Sequence, residues 1–437
     1  MKYKFLILLF LLAATVSAQN NFGFETNKKK IVIPFKLINN LIFIPIEVNG
    51  IKLNFLLDTG VEETILLSLE DNEKVKFNNV EKIKLRGLGS DEAIEGLKSS
   101  HNFLNLKGFA DRQHELYIVL DQGFNFSAHV GIPVNGIIGY HLFKNHLVEI
   151  DYARKKIFIH RGDNKKIRSK IAANFCEIPI SIEKRKPYVM ADVMLNNKQF
   201  PAKLLVDIGN SDALWLFQNT DKSIQIPQKN FSDYLGKGFS GEIHGKRAKG
   251  TELKLGLFRF ENPIVAFPDS SSVKSVNMVK DRNGSVGGEI FKRFDVVFNY
   301  PENKMHLKCN SNFYTPFHYN MSGIELQNEG LQWVPETVML QTASGNNAGD
   351  NNKNDFRYKF SLKPVYMISN VRKNSTADSC GLKKGDLINK INGIPAYSYT
   401  LENINEILKS EDGKWISMEV DRNGIVKTFR FQLKDIL

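Results

Sequence analysis

Cysteine is scarce in this chain, which has 437 residues and three cysteines, Cys176, Cys309 and Cys380. An odd set of three allows at most one disulfide, so no disulfide framework holds this fold together. Cys176 precedes and Cys309 follows one run of short predicted strands. The sequence leaves two outcomes open for this pair: one bridge, or two buried free thiols.

Long hydrophobic runs are absent beyond the N-terminus. Residues 1–18 combine Lys2 and Lys4, an apolar run over 5–14, and a small-residue end at 16–18, which is the pattern of a cleaved secretory signal. This run is too short to cross a bilayer core of about 30 Å. No cysteine beside the cleavage position offers a lipid attachment point. We therefore expect an exported chain, periplasmic or extracellular, without a transmembrane anchor.

A nucleic-acid-binding pattern is also missing, although the formal net charge is +12. Removal of Lys2 and Lys4 with the signal leaves +10. The basic residues stand in short runs, at 28–30, 165–166 and 184–186, without the interleaved aromatic residues of a nucleic-acid groove. We interpret these runs as solvated faces and expect no nucleic-acid partner.

Signatures of metal-dependent and nucleophilic hydrolysis are missing as well. No serine or cysteine stands in a nucleophile elbow. Histidines across residues 101–146 share no metal-ligand spacing of the His-Glu-x-x-His kind; they are His101, His114, His129, His141 and His146. We therefore expect neither a metal site nor a covalent acyl-enzyme.

The chain does contain a duplicated motif, in which an apolar strand runs into Asp-x-Gly. The copies are Leu56-Leu57-Asp58-Thr59-Gly60 and Leu205-Val206-Asp207-Ile208-Gly209. An apolar-Gly segment follows each Asp at nearly equal distance, 81 residues on at Ile138-Gly139 and 80 residues on at Val286-Gly287. Matching strands flank both pairs, so one unit of roughly 130 to 150 residues is present twice.

Each copy resembles a unit of the pepsin and retroviral-protease superfamily. Residues 58–66 are similar to the retroviral pattern Asp-Thr-Gly-Ala-Asp-Asp-Thr-apolar-Leu, and residues 137–139 to its apolar-apolar-Gly partner. In that family the partner strand packs beneath the catalytic turn. The resemblance covers about residues 30 to 310. It implies a mainly β fold with two homologous retropepsin-like β-barrel lobes that form a single-chain pseudo-dimer.

The resemblance implies a catalytic dyad of Asp58 and Asp207, with Gly60 and Gly209 shaping the turns. Two carboxyl groups a few ångströms apart share one proton, because both cannot ionise cheaply. The ionised group draws a proton from a water while the protonated group polarises the scissile carbonyl. Such amide hydrolysis needs no metal or cofactor.

The second copy departs from the family pattern. Thr59 supplies a hydroxyl that normally crosses to the other half and braces the dyad, whereas Ile208 supplies none. Asn210 also replaces a small or hydroxyl residue. One-sided bracing has two open consequences: a raised apparent pKa of the dyad, or a second half that has drifted to a supporting role in a catalytically silent peptide-binding protein.

Two further groups of candidate residues surround the dyad. Glu62, Glu63 and Asp212 follow the turns, where acidic residues of retroviral enzymes meet the substrate backbone; exposed loop charge is the alternative. Glycine-rich hairpin tips lie about thirty residues past each Asp. Gly87 and Gly89 mark the first tip and Gly238 and Gly241 the second, and we predict flaps over an extended substrate.

The C-terminal part follows a different pattern. Residues 342–355 are rich in Asn, Gly and Asp and are predicted to form a disordered loop. Beyond them, residues 374–382, 384–388 and 391–393 resemble bacterial PDZ modules, with Thr376 in place of Pro and Cys380 in place of Ala. The resemblance spans about residues 318–437.

The PDZ resemblance implies strand addition of an extended chain end to a sheet edge. Residues 401–408 are expected to form the helix that lines the peptide groove. The carboxylate-binding loop is expected just before Val365, at Phe360-Ser361-Leu362-Lys363.

These patterns together predict a signal peptide at 1–18, protease lobes at 19–165 and 166–312, and a PDZ-like domain at 313–437. The leading hypothesis is an exported aspartic endopeptidase. Its PDZ-like domain would recruit a peptide or protein substrate or a partner's C-terminus. The alternatives are a catalytically silent peptide-binding protein and an envelope scaffold that acts through the PDZ-like domain.

Overall fold

A computed structural model of the chain describes residues 22–67, 75–85, 94–120, 125–162, 165–238, 241–273, 279–339 and 356–437. The signal segment 1–18, the glycines Gly87 and Gly89, and the loop 342–355 lie outside these ranges. The chain divides into two compact units. The first contains the residues up to Asn125, Val134–Phe317 and Leu437, and the second contains Phe126–Pro133 and His318–Ile436.

The first half of the first unit contributes a nine-stranded sheet among the described residues. Its strands are β1 (Gly23–Phe24), β3 (Lys36–Ile38), β4 (Leu41–Val48), β5 (Ile51–Leu57), β6 (Thr64–Leu66), β7 (Val80–Leu85), β8 (Ile94–Leu106), β9 (Phe109–Val119) and β10 (Gly136–Ile138). Asn49 and Gly50, with φ of 47° and 92°, form the tight turn between β4 and β5. The parallel pairing of β10 with β5 places Ile138 opposite Leu57, the residue before Asp58.

The second half repeats this arrangement in a ten-stranded sheet of described residues. Its strands are β14 (Ser181–Glu183), β15 (Lys186–Leu195), β16 (Lys198–Asp207), β17 (Leu214–Leu216), β18 (Asn230–Gly238), β19 (Gly241–Lys249), β20 (Glu252–Leu255), β21 (Phe258–Glu261), β22 (Ile264–Pro268) and β23 (Arg282–Gly287). Here β16 and β23 pair in parallel, as β5 and β10 do. The sequence repeat is therefore a structural repeat.

A six-stranded sheet joins the two halves. It contains β2 (Lys30–Pro34), β11 (Leu147–Asp151), β12 (Lys156–His160), β13 (Cys176–Pro179), β24 (Phe294–Asn299) and β25 (Lys304–Cys309), in the order β13-β25-β24-β11-β12-β2. The central pair β11 and β24 is antiparallel, with Val148 opposite Phe298 and Ile150 opposite Val296. Equivalent residues exchange places across this pair, which is the signature of pseudo-two-fold symmetry.

Cys176 and Cys309 lie on neighbouring strands of this sheet and are free thiols, as is Cys380. Of the two outcomes that the sequence left open, the structure has free thiols. Cys309 is exposed and Cys176 is half-buried, so these thiols are not buried as the sequence suggested.

One continuous apolar core spans both halves of the first unit, including Phe55, Ile138, Val206, Val286 and Phe298. Helices are short: α1 (Phe126–Val130), α2 (Tyr140–Phe143), α3 (Lys165–Asn174), α4 (Ser270–Val273), α5 (Gly288–Phe291), α6 (Thr376–Cys380) and α7 (Leu401–Leu408). In the ranges that the structure covers, no helix has the length and apolar character required to cross a bilayer. The predicted mainly β fold is confirmed.

The second unit is built on a six-stranded sheet of β26 (Ile324–Met339), β27 (Phe356–Val371), β28 (Leu387–Ile391), β29 (Ile394–Pro395), β30 (Trp415–Arg422) and β31 (Ile425–Gln432). The order β26-β27-β28-β30-β31 leaves β26 at an edge. Helix α7 begins with a capping box in which Thr400 and Asn403 exchange hydrogen bonds. Arg422 binds both carboxylate oxygens of the buried Asp386, at 2.6 and 2.7 Å.

The expected carboxylate-binding loop is not a loop. Residues Phe360, Ser361, Leu362 and Lys363 lie in β27, opposite Pro335, Val334, Trp333 and Gln332 of β26. The β26–β27 ladder runs from the Ile324 and Val371 pair to the Met339 and Phe356 pair, so this stretch belongs to a long hairpin. The expectation was wrong because the local sequence does not reveal how far β26 continues beside β27.

Candidate active site

The first Asp-x-Gly turn is supported from behind by β10. The backbone N–H of Asp58 donates to Ile138 O at 2.9 Å. A Cβ at Gly139 would overlap the carbonyl oxygen of Asp58, so only glycine allows this close approach. The apolar-Gly segment therefore packs beneath the turn, as the family resemblance implied.

The second turn has the same support. Asp207 ends β16 directly beside Gly287 of β23. A Cβ at Gly287 would overlap Asp212 O and lie 2.7 Å from Asn210 O. Gly288 N also donates to Asn210 O at 2.7 Å. Backbone packing thus holds both turns in the same manner.

The two carboxyl groups converge between the two turn glycines. A Cβ placed on Gly60 would lie 3.0 Å from Oδ1 of Asp58 and 3.0 Å from Oδ1 of Asp207. A Cβ on Gly209 would overlap the carboxyl group of Asp58. Gly60 N donates to Asp58 Oδ1 at 2.6 Å. Any side chain at either glycine would displace the carboxyl pair.

Both carboxyl groups have raised pKa values, but unequally. Burial raises the pKa of Asp58 well above its usual range, and the charge of Asp207 raises it further. Burial also raises the pKa of Asp207, but Arg282, the hydrogen bond with Asp58, and Lys186 lower it. The pKa of Asp58 is therefore raised further than that of Asp207, because Arg282 offsets part of the effect of burial on Asp207.

Hydroxyl hydrogen bonds between the two turns come only from Thr59 of the first turn, among the described residues. Thr59 is fully buried, and its Oγ1 donates to Val206 O at 2.6 Å and accepts from Ile208 N at 3.1 Å. Ile208 is also fully buried, but it belongs to the apolar core and offers no hydroxyl. The asymmetry read from the sequence is present in the structure.

The acidic residues after the turns are paired within the chain. Arg185 Nη1 lies 2.9 Å from Glu62 and 3.6 Å from Glu63. His141 Nε2 lies 3.6 Å from Glu63 Oε2, and the interaction with His141 is the main factor that lowers the pKa of Glu63. Glu62 and Glu63 are therefore paired charges within the chain, and their predicted contact with a substrate backbone stays a prediction.

Asp212 has an equivalent arrangement in the second half. It accepts from Trp215 Nε1 at 2.7 Å and from Arg247 Nη1 at 2.8 Å. Arg247 also donates to Asp233 at 2.7 Å, which fixes its position. The sequence does not predict Arg185 or Arg247, because their partners lie far away along the chain.

Two cations beside the dyad were also missed. Lys186 is half-buried at the start of β15, and Arg282 is buried at the start of β23 with Nε donating to Gly284 O at 3.0 Å. Both lower the pKa of Asp207. Lys186 appeared in the sequence only as part of the basic run 184–186, which was interpreted as a solvated face.

Hairpins occupy both expected flap positions. Strands β18 and β19 pair up to Gly238 and Gly241, and Gly241 has φ of 144°. Strands β7 and β8 pair up to Leu85 and Ile94. The glycines Gly87 and Gly89 of the first tip lie outside the described residues.

A buried polar network ties β6 to β9 near the first turn. His114 Nε2 lies 2.7 Å from Thr64 Oγ1, and His114 Nδ1 lies 2.8 Å from Asp111 Oδ2. All three residues are buried, so this Thr-His-Asp arrangement is structural. Within the described ranges, no group of three or more His, Cys, Asp or Glu side chains could hold a metal ion.

Comparisons with known proteins agree with both predicted parts. A family model described as "Aspartyl protease" matches residues 44–142, and one described as "PDZ domain" matches residues 367–422. A search of curated proteins gave no match. A solved aspartic proteinase from Irpex lacteus is similar at 12% identity and a TM-score of 0.43, over 65% of this chain and 99% of that chain. The chain thus contains an aspartyl protease domain followed by a PDZ domain.

Proposed function

We propose that the chain is an exported aspartic endopeptidase with Asp58 and Asp207 as its dyad. The observation that carries this proposal is the convergence of both carboxyl groups around Gly60, each with an oxygen 3.0 Å from the position of a Cβ there. Their unequal pKa values supply an acid and a base in one place. The segment 1–18 supports export.

In the proposed reaction, a water between the carboxyl groups attacks the scissile carbonyl. The Asp207 carboxylate takes a proton from this water, and the protonated Asp58 donates its proton to the carbonyl oxygen. The tetrahedral diol then collapses: Asp207 gives its newly acquired proton to the amide nitrogen and the C–N bond breaks. A diol hydroxyl returns its proton to Asp58, so the dyad again holds one proton. Arg282 and Lys186 favour the ionised form of Asp207 before it takes this proton.

The substrate proposed for this site is an extended peptide. Paired strand arms form the hairpins β18–β19 and β7–β8 at the sequence positions predicted for flaps, which supports a substrate chain lying beneath them. Backbone hydrogen bonds with such arms require an extended chain, as in strand addition. The PDZ domain supports a second peptide-binding function in the same molecule.

A second candidate is a catalytically silent peptide-binding protein, which Ile208 favours because it removes one bracing hydroxyl. One experiment separates the two functions. The mature chain 19–437 is incubated with a peptide library from pH 3 to 8, with and without a statine-type inhibitor, beside the Asp207→Asn variant. Inhibitor-sensitive cleavage that Asp207→Asn lacks supports the protease. Inhibitor binding without cleavage at any pH would establish the silent protein instead.

A further inference from the structure

The second unit contains a groove between an edge strand and a helix. Strand β26 forms the edge of the six-stranded sheet, and α7 packs beside it. PDZ domains add an extended chain to a sheet edge of this kind, where main-chain pairing supplies affinity. We call this space the β26–α7 groove.

One short segment of the chain contacts both walls of this groove. Helix α1 packs against β26. The next residue, Gly131, contacts α7, because a Cβ placed there would lie 3.0 Å from Leu401 Cβ and 3.4 Å from its Cδ2. Ala128, Val130 and Leu401 are buried. Helix α1 and Gly131 therefore reach from the strand wall of the groove to its helix wall, and in the described residues no ladder pairing joins this segment to β26.

At the end of the groove where a carboxylate would bind, the backbone N–H groups already donate to acceptors within the chain. The loop 319–323 leads into β26 and reaches the end of α7, where Met321 N donates to Leu408 O at 3.2 Å. Ser322 N and Gly323 N both donate to Asn320 Oδ1, at 3.1 and 3.2 Å. Capture of a terminal carboxylate needs backbone N–H groups that point at it. These three donors are committed within the protein.

We propose that the β26–α7 groove binds internal chain segments, and that residues 126–133 occupy it in cis until a competing segment displaces them. The bound chemistry is a short helical segment, residues 126–131, whose buried side chains Ala128 and Val130 are small or apolar. No terminal carboxylate takes part. This differs from the expected recruitment of a partner's C-terminus.

Tethering gives the internal segment a large advantage over a peptide in solution. A segment on a short linker acts at an effective concentration of about 1 mM. A free peptide of equal intrinsic affinity, with a Kd on the order of 1 μM, would then bind the intact chain roughly 10³-fold more weakly. Release of residues 126–133 should therefore expose a strong binding site.

Gly131→Val tests this proposal because it should weaken the binding of residues 126–133 to the groove in two ways. Gly131 has φ of 80°, which a β-branched residue avoids, and a side chain there would press on Leu401. Gly424→Val is the matched control, since Gly424 has φ of 82° with nothing within 4 Å of a Cβ. Both changes are made in the full mature chain with Asp207→Asn, so that hydrolysis cannot consume the probe.

The probe is a fluorescein-labelled peptide with the sequence of residues 125–134, blocked at both ends, and binding is measured by fluorescence anisotropy. We expect Gly131→Val to bind it at least about tenfold more tightly than Gly424→Val. A probe with a free C-terminus should bind within about twofold of the blocked one. Addition of Leu401→Glu to Gly131→Val should abolish binding.

Equal affinity of the two glycine variants, or binding that requires a free carboxylate, would overturn the proposal.

Hydrogen exchange on the chain without a glycine change gives a second test, which does not depend on the folding of Gly131→Val. The amide of Gly131 donates to Ser127 O at 2.8 Å and should exchange slowly. Unlabelled blocked peptide at about 1 mM matches the effective concentration of the segment and should speed this exchange. Unchanged exchange at saturating peptide would contradict a displaceable segment.

Discussion

The two Asp-x-Gly turns have similar backbone packing but differ in the side chains that brace them. In both, a strand that pairs in parallel with the preceding strand lies beneath the turn, and its glycine, Gly139 or Gly287, makes a close backbone contact with the turn. Only the first turn sends a hydroxyl across, from Thr59 to Val206 O and Ile208 N. Backbone packing therefore positions the carboxyl groups of both turns, and the crossing hydroxyl of Thr59 is a separate contribution.

The charged residues near the two turns are also distributed unequally. Lys186 and Arg282 both belong to the second half, and both lower the pKa of Asp207. Asp58 has the larger upward shift from burial and from the charge of Asp207. The repeated turns thus hold their carboxyl groups in unequal electrostatic environments, and the changes below alter the separate parts of that difference.

The largest effect is expected from removal of either carboxylate. Asp58→Asn and Asp207→Asn should each lower kcat/KM by about 10²–10⁴-fold, because each removes one proton-transfer group. Thermal unfolding should show that the fold is retained. Asp269→Asn, at an exposed position, is the control and should keep full activity. Turnover retained in either dyad variant would remove that residue from the assignment.

Thr59→Val should have the next largest effect. It deletes one donor and one acceptor in a fully buried site and leaves Val206 O and Ile208 N without this partner. A buried polar group without a partner costs about 1–3 kcal/mol. Urea unfolding should report this loss, together with reduced kcat/KM. Unchanged stability would mean that the crossing hydroxyl contributes nothing to the half-to-half contact.

Lys186→Met should shift the pH dependence of hydrolysis. The ammonium group lowers the pKa values of Asp58 and Asp207, so its removal raises both. Because the base must be ionised, activity on the acid side should then begin at higher pH than in the unmodified chain. A kcat/KM profile from pH 3 to 8 measures this, with the exposed Lys198→Met as control. A profile shifted to lower pH would contradict the charge assignment.

The smallest effect is expected from Ile208→Thr, which restores the second hydroxyl. If the second turn accepts this hydroxyl as the first turn accepts that of Thr59, activity should rise or the acid limb of the kcat/KM profile should move. The loss of apolar contacts should lower the free energy of unfolding by about 1 kcal/mol. The same pH profile and urea unfolding measure both effects. An unchanged profile would show that one brace is sufficient.

Sequence reasoning succeeded where the chemistry is local. Asp58 and Asp207 follow apolar strands, and their glycines mark close backbone approach, so short motifs in matched register reveal them. The PDZ framework was recognised from its loop residues in the same way. The family matches at residues 44–142 and 367–422 confirm both parts.

Contacts between distant segments were not predictable. Arg185 pairs with Glu62, and Arg247 with Asp212, across sequence separations that no local pattern encodes. The extent of β26 beside β27 moved Phe360 to Lys363 from an expected loop into a strand. The position of residues 126–133 beside β26 likewise has no signal in their own sequence.

The amino-acid sequence alone determined the duplicated turns, the mainly β character and the missing hydroxyl at Ile208, because strand periodicity, glycine and side-chain type act over a few residues. The tertiary structure decided which cations lie beside the dyad, which partners hold Glu62, Glu63 and Asp212, and which segment contacts the β26–α7 groove. These outcomes depend on charge and packing between residues that only the folded chain brings together.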